Sequence, residues 1–152
     1  MALNDDIALL SAVPLFAELD GDKLRLIAFG AEHKRLARGQ QLFREGAPAD
    51  CAYVVAAGRF SLSRIASNGA SEEVAVAGPG VLLSELAMIS FVERKFTAVA
   101  EEESDVLRIP RSLFHRMLEE YPEVARLVES RIRENLQAMI REVQRMAPRF
   151  AD

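Results

Sequence analysis

The spacing of apolar residues along this chain changes twice, and each change marks a different kind of element. Over residues 1–30, Ile7, Leu9 and Leu10 lead to Pro14. Asp20 then precedes a run with Leu24, Ile27 and Ala28 on one side, which predicts two short helices as a lead-in, the second capped by Asp20. From residue 31 the runs shorten to LFRE, CAYVVAA, RFSLSRIA and EEVAVA, separated by Gly39, Gly46, Gly58, Asn68-Gly69 and Gly78-Pro79-Gly80. KFTAVA and SDVLRIP follow in the same style. Short strands with turn signals between them indicate an all-β barrel or sandwich over residues 31–110. Asn68-Gly69 is the strongest hairpin signal, because both residues tolerate the positive φ of a tight primed turn. After residue 110 the helical period returns. RSLFHRMLEEY reads as one helix, Pro122 interrupts it, and a long helix runs on from residue 123 to 146.

The apolar positions of that long helix, Val124, Leu127, Val128, Ile132, Leu136, Met139, Val143 and Met146, step by three or four, and charged residues fill its other faces. Such a stripe must be buried. It can pack on the β-structure, or it can form a seam with a second copy of the chain, since an unsupported amphipathic helix is marginal in water. The expectation here is a homodimer through the C-terminal helix. The expected architecture is mainly β: a jelly-roll barrel with N-terminal helices and C-terminal helices over residues 111–147.

Composition narrows the reading. At 152 residues and 50% apolar content, the chain suits one domain, 1–152, with one continuous core. A net charge of −4, from 19 basic and 23 acidic residues, creates no general attraction to nucleic acid or to an anionic membrane. Arg126, Arg131, Arg133, Arg141, Arg145 and Arg149 are interleaved with acids and read as a solvated helix face. No DNA and no membrane partner are expected. Cys51 is the single cysteine and precedes an apolar run, so it is expected to be buried in a protein of a reducing compartment. The start, MALNDDIALL, lacks the basic opening and long apolar run of a secretory signal, and no stretch reaches membrane-spanning length. A cytoplasmic protein is the expectation. His33 and His115 are too few and too far apart to suggest a metal site. No triad-like grouping or Gly-x-Ser-x-Gly turn appears, so no enzyme is expected and no cofactor.

The candidate chemistry lies in residues 80–99, GPGVLLSELAMISFVERKFTAV when read from Gly78. Gly80 permits a sharp turn, and Ser84 is a suitable N-cap for the short turn ELAMIS, leaving amide groups free at its start. Such amides favour a phosphate, and an arginine arriving from the next strand, Arg94, can bind two of its oxygens. Glu85, an acceptor when ionised, suits a sugar hydroxyl. The same pair is also what a solvated ion pair at a barrel rim looks like.

The segments VPLFAEL, RGQQLFREG and AYVVAAGRFSL, followed by LSELAMISFVERKFTAV, resemble the cyclic nucleotide-binding domain family over about residues 10–135. Their last segment is similar to the family's phosphate-binding cassette. The resemblance implies that Glu85 takes the ribose 2′-hydroxyl, that Arg94 meets the cyclic phosphate, and that the amides of Leu86 and Ala87 cradle it. Ser84 stands where the family has Gly, Glu93 where many members have Pro, and Lys95 where a small or hydroxyl residue is usual. Lys95 can add a phosphate contact or fill the pocket. The implied function is a regulatory sensor for cAMP or cGMP that signals through its C-terminal helices to an effector protein or dimer mate. A nucleotide-independent interaction module is the alternative, should Ser84 and Lys95 have closed the pocket.

Overall fold

The computed structural model describes the backbone of residues 2–151 and the side chains of residues 3–117 and 119–137. The lead-in forms α1 (Ala2–Ser11), a 3-10 turn at Pro14–Phe16, and α2 (Gly21–Gly30). Asp20 caps α2 as expected, its carboxylate accepting the Lys23 amide at 3.0 Å. Ten strands follow: β1 (Glu32–Leu36), β2 (Gln41–Phe43), β3 (Pro48–Ala49), β4 (Cys51–Ala57), β5 (Phe60–Ile65), β6 (Ser71–Ala77), β7 (Leu82–Leu83), β8 (Val92–Glu93), β9 (Thr97–Ala100) and β10 (Ser104–Pro110). Two helices complete the order, α3 (Arg111–Glu120) and α4 (Pro122–Ala151).

The strands form two four-stranded antiparallel sheets, β1-β10-β4-β7 and β2-β9-β5-β6, with β3 and β8 paired separately. With that short pair set aside, every connection except β5–β6 crosses from one sheet to the other. This is jelly-roll winding, but the expected barrel does not form. β1, β7, β2 and β6 each pair on one side only, so the sheets stay open and face each other as a sandwich. Alternation in sequence identifies a buried face on each strand; it carries no information on whether the outermost strands bond around to close the ladder.

Two glycines hold this winding. Gly58, at φ 87°, carries the chain from β4 across to β5, and an added Cβ there would lie 2.7 Å from the backbone of Ser104. Gly69, at φ 85°, turns β5 into β6. The hairpin at Asn68-Gly69 is present, yet Ala66 and Ala70 close a three-residue loop in which Gly69 alone is left-handed. The expected primed turn is therefore replaced by a turn whose last residue is the glycine, and the Asn68 side chain accepts from the Ala70 amide at 3.0 Å.

Side chains divide into two apolar clusters. Leu36, Phe43, Tyr53, Val55, Phe60, Leu62, Ala98 and Val106 fill the space between the sheets. Leu10, Phe16, Ile27, Val54, Leu107, Ile109, Phe114, Val128 and Ile132 lie between the outer face of the β10–β4 sheet and the helices. β4 and β10 are thus buried on both faces, which is why CAYVV reads as an unbroken apolar run. The first turns of α4 bury Val124, Ala125, Val128 and Ile132 in this second cluster, so the near half of the stripe packs within the chain. Met139, Val143 and Met146, on which a seam with a second copy depends, lie outside the described side chains.

Candidate ligand-binding cavity

Between β7 and β8 the chain passes through a 3-10 turn at Glu85–Met88. Ser84 precedes it at φ 63°, ψ 45°, the one non-glycine residue with positive φ among those described. An L-residue in this left-handed region costs about 1 kcal/mol or more, because Cβ crowds the following carbonyl. The expected N-cap role is not seen: the Ser84 hydroxyl makes no capping hydrogen bond. Its carbonyl instead accepts the Ala87 amide at 3.0 Å. Ala87 is fully buried, and its own carbonyl accepts from Arg111 Nε at 2.8 Å, tying the turn to the start of α3.

Beside this turn lies a cavity of about 380 Å³, lined by Phe43, Leu62, Val81, Leu82, Leu83, Ser84, Glu85, Leu86, Val92, Glu93, Lys95, Phe96 and Leu136. That volume falls in the range of small-molecule pockets, roughly 300–1,000 Å³. The walls are mainly apolar, with charge supplied by Glu85, Glu93 and Lys95. Four of the six residues singled out in sequence, Ser84, Glu85, Leu86 and Lys95, line it together; Ala87 and Arg94 do not.

Glu85 is half-buried, and Asn135 of α4 donates from Nδ2 to its Oε2 at 3.5 Å. Burial raises the pKa of this carboxyl above its ordinary value, and the Asn135 hydrogen bond opposes the rise. Leu136, the next residue of α4, closes one side of the cavity, so the C-terminal helix reaches both the carboxylate and the apolar wall.

Arg94 and Glu85 are not brought together as an ion pair. The Arg94 side chain is 4% exposed. It donates to the Cys51 carbonyl at 2.8 Å and to Cys51 Sγ at 3.2 Å, and its guanidinium carbon lies 4.7 Å from the Phe43 ring centre and 5.3 Å from that of Tyr53. Those rings stack on each other 5.9 Å apart, and Asp50 sits 4.0 Å from the guanidinium. Burial, with Cys51 adding to it, pushes the Tyr53 hydroxyl up to about 12 against the opposing Arg94 charge. Cys51 is buried, as its apolar context implies.

Phe43, Leu62, Val81, Glu93 and Leu136 line the cavity too, and were not assigned to the site in sequence. Glu93 was legible, since it lies within the cassette segment beside Arg94. Val81 precedes the turn at Ser84 by three residues, whereas Phe43 of β2, Leu62 of β5 and Leu136 of α4 are far apart in the chain, and only folding brings them to one cavity. His33, set aside as a metal ligand, sits between two carboxylates: Asp6 of α1 at 2.8 Å from Nε2 and Asp105 of β10 at 3.1 Å from Nδ1.

The fold and the cavity define a class of protein: a jelly-roll sandwich with a small-molecule cavity between a 3-10 turn and a C-terminal helix. The chain belongs to the cyclic nucleotide-binding domain family, whose model matches residues 33–121. It is similar to the cyclic AMP receptor protein of Thermus thermophilus, with 29% identity over 80% of this chain and 58% of that protein. It is also similar to a lysophospholipase of Neurospora crassa, 29% identical over 92% of this chain but only 9% of that enzyme's length. Among solved structures, a cyclic nucleotide-binding-like protein from Brucella abortus shares 44% identity over 76% of this chain and 98% of its own, with a TM-score of 0.68. No helix among the described residues is long and apolar enough to cross a membrane.

Proposed function

We propose that the cavity binds a cyclic mononucleotide, cAMP or cGMP, and that residues 1–152 act as a cytoplasmic sensor without catalytic activity of their own. The observation that carries this reading is the coincidence of the family cassette with the cavity: Ser84, Glu85 and Leu86 line a space of nucleotide size that α4 also touches. Glu85 accepts the ribose hydroxyl in this reading, and the apolar walls take the base. A ribose hydroxyl arriving at Glu85 competes with Asn135 for the same carboxylate, while a base filling the cavity gains contact with Leu136. Binding therefore alters the contacts of α4, and a ligand shifts a conformational equilibrium only through such differential contacts. The altered helix presents the signal to an effector protein or to a second copy of the chain.

Titration calorimetry of nucleotide-free protein with cAMP and with cGMP tests this reading. Micromolar or tighter binding of either, weakened in Glu85→Ala, is the expected result. Silence of folded protein with both nucleotides defeats it and favours a nucleotide-independent interaction module. Sequestration of Arg94 against Cys51 and the backbone strain at Ser84 speak for that second reading.

A further inference from the structure

We propose that Arg111, which does not line the cavity, is a positioning residue of the site: it holds the strained turn that Ser84 opens in the shape from which Ser84, Glu85 and Leu86 face the ligand. The inference rests on the nucleotide reading above.

Arg111 is the first residue of α3, and its half-buried side chain reaches three other segments. Its Nε donates to the Ala87 carbonyl at 2.8 Å, and a terminal guanidinium nitrogen donates to the Ala49 carbonyl of β3. The guanidinium carbon lies 4.4 Å from the ring centre of Phe91, just past the turn. The Arg111 amide donates to the Asp50 carbonyl at 2.9 Å, which fixes the base of the side chain as well. Because a guanidinium is planar and rigid, the two carbonyls bound to it are held at a set separation and orientation. Its donors are charged, so these bonds are stronger than neutral ones.

The turn needs such a hold. Ser84 sits at φ 63° with no capping bond from its hydroxyl. An L-residue persists in that region only where its surroundings over-determine it. The bonds inside the turn, from the Ala87 amide to the Ser84 carbonyl and from the Ser90 amide to the Leu86 carbonyl, both 3.0 Å, travel with it and do not locate it. Burial of Ala87 and Met88 places the turn against the core, but apolar contact is non-directional. Upstream, Leu83 is paired with Tyr53. Within Glu85–Met88, among the described residues, the backbone is hydrogen-bonded to another element through the Ala87 carbonyl and Arg111. Freed from Arg111, the Ala87 peptide can rotate and Ser84 can return to negative φ, which carries Glu85 out of its place in the cavity wall.

The test measures how much Arg111→Met weakens nucleotide binding in two backgrounds, wild type and Ser84→Gly. Calorimetry with cAMP and cGMP is run well below the unfolding midpoint of each variant. Methionine keeps the apolar stem and removes the guanidinium. Loss of charge-assisted bonds should weaken binding about tenfold in the wild-type background. In the Ser84→Gly background the loss should shrink about fivefold, because glycine takes positive φ without the left-handed penalty and the turn no longer relies on Arg111 to stay there. A purely structural role for Arg111 would give the same loss in both backgrounds, and that result would overturn the inference. So would wild-type affinity in folded Arg111→Met. If Arg111→Met does not fold, Arg111→Lys takes its place in both backgrounds under the same criteria, since an ammonium keeps the charge but cannot bind both carbonyls in one plane. A folded wild type silent with both nucleotides would instead defeat the nucleotide reading itself, and this inference with it.

Discussion

Ser84 occupies a left-handed backbone conformation just before the 3-10 turn. The cavity wall is therefore built on a residue whose own Cβ opposes its conformation. Ser84→Gly removes that conflict, at the cost of greater backbone freedom in the unfolded chain. A net gain of about 0.5–1 kcal/mol is expected from urea denaturation, because the left-handed penalty is the larger of the two effects. A loss of stability would mean that the Ser84 side chain contributes contacts that outweigh its strain. The identity of Ser84 was legible as a departure from the family pattern. Its φ was not, because a dihedral is imposed by the residues that pin both ends of the turn, here the β4–β7 pairing and the Ala87–Arg111 bond. Arg94 gives the same lesson in charge. Its presence was evident in sequence, whereas its burial against Cys51 follows from folding, which brings the segment after β8 beside the start of β4.

At the scale of elements, α1 is tied to the sandwich by His33, whose ring nitrogens face Asp6 and Asp105. With a carboxylate at each nitrogen, both nitrogens are best served as donors, which requires the imidazolium. Burial lowers the pKa of the ring, but hydrogen bonds and charge from Asp105 and Asp6 outweigh it and leave the value above 6.5. The sign follows from that direction. A histidine whose folded pKa is raised stabilises the fold fully below the unfolded value near 6.5, and loses this contribution as pH rises through the folded value. Wild type should therefore lose thermal stability on going from acidic to mildly alkaline pH, with the loss concentrated above 6.5. His33→Ala should flatten that part of the profile; an unchanged slope would show that the clamp carries no coupling between α1 and the sheet. Sequence assigned α1, β1 and β10 separately, but the clamp joins residues 27 and 72 positions apart and had no signal in any one of them.

At the scale of the whole molecule, the apolar stripe of α4 is longer than the part of it packed within the chain. Its near end packs on the helices and sheet through Val128 and Ile132, while the same apolar spacing continues in sequence at Met139, Val143 and Met146. We propose a homodimer seam along this continuation. Light scattering across micromolar concentrations should report a dimer, and Val143→Glu should shift it to monomer without altering the circular dichroism of the sandwich; a wild type that stays monomeric would exclude the seam. The sequence by itself determined the order of helix, strand and helix, the hairpin at Gly69, the buried Cys51 and the location of the cassette, because these depend on local periodicity and on residue types with restricted backbones. Tertiary structure alone decided that the sheets stay open, that Phe43, Leu62 and Leu136 share one cavity with Glu85, and that Lys95 rather than Arg94 faces it. Those outcomes depend on strand register and on contacts between residues distant in the chain, where a shift of one position sends a side chain to the opposite face.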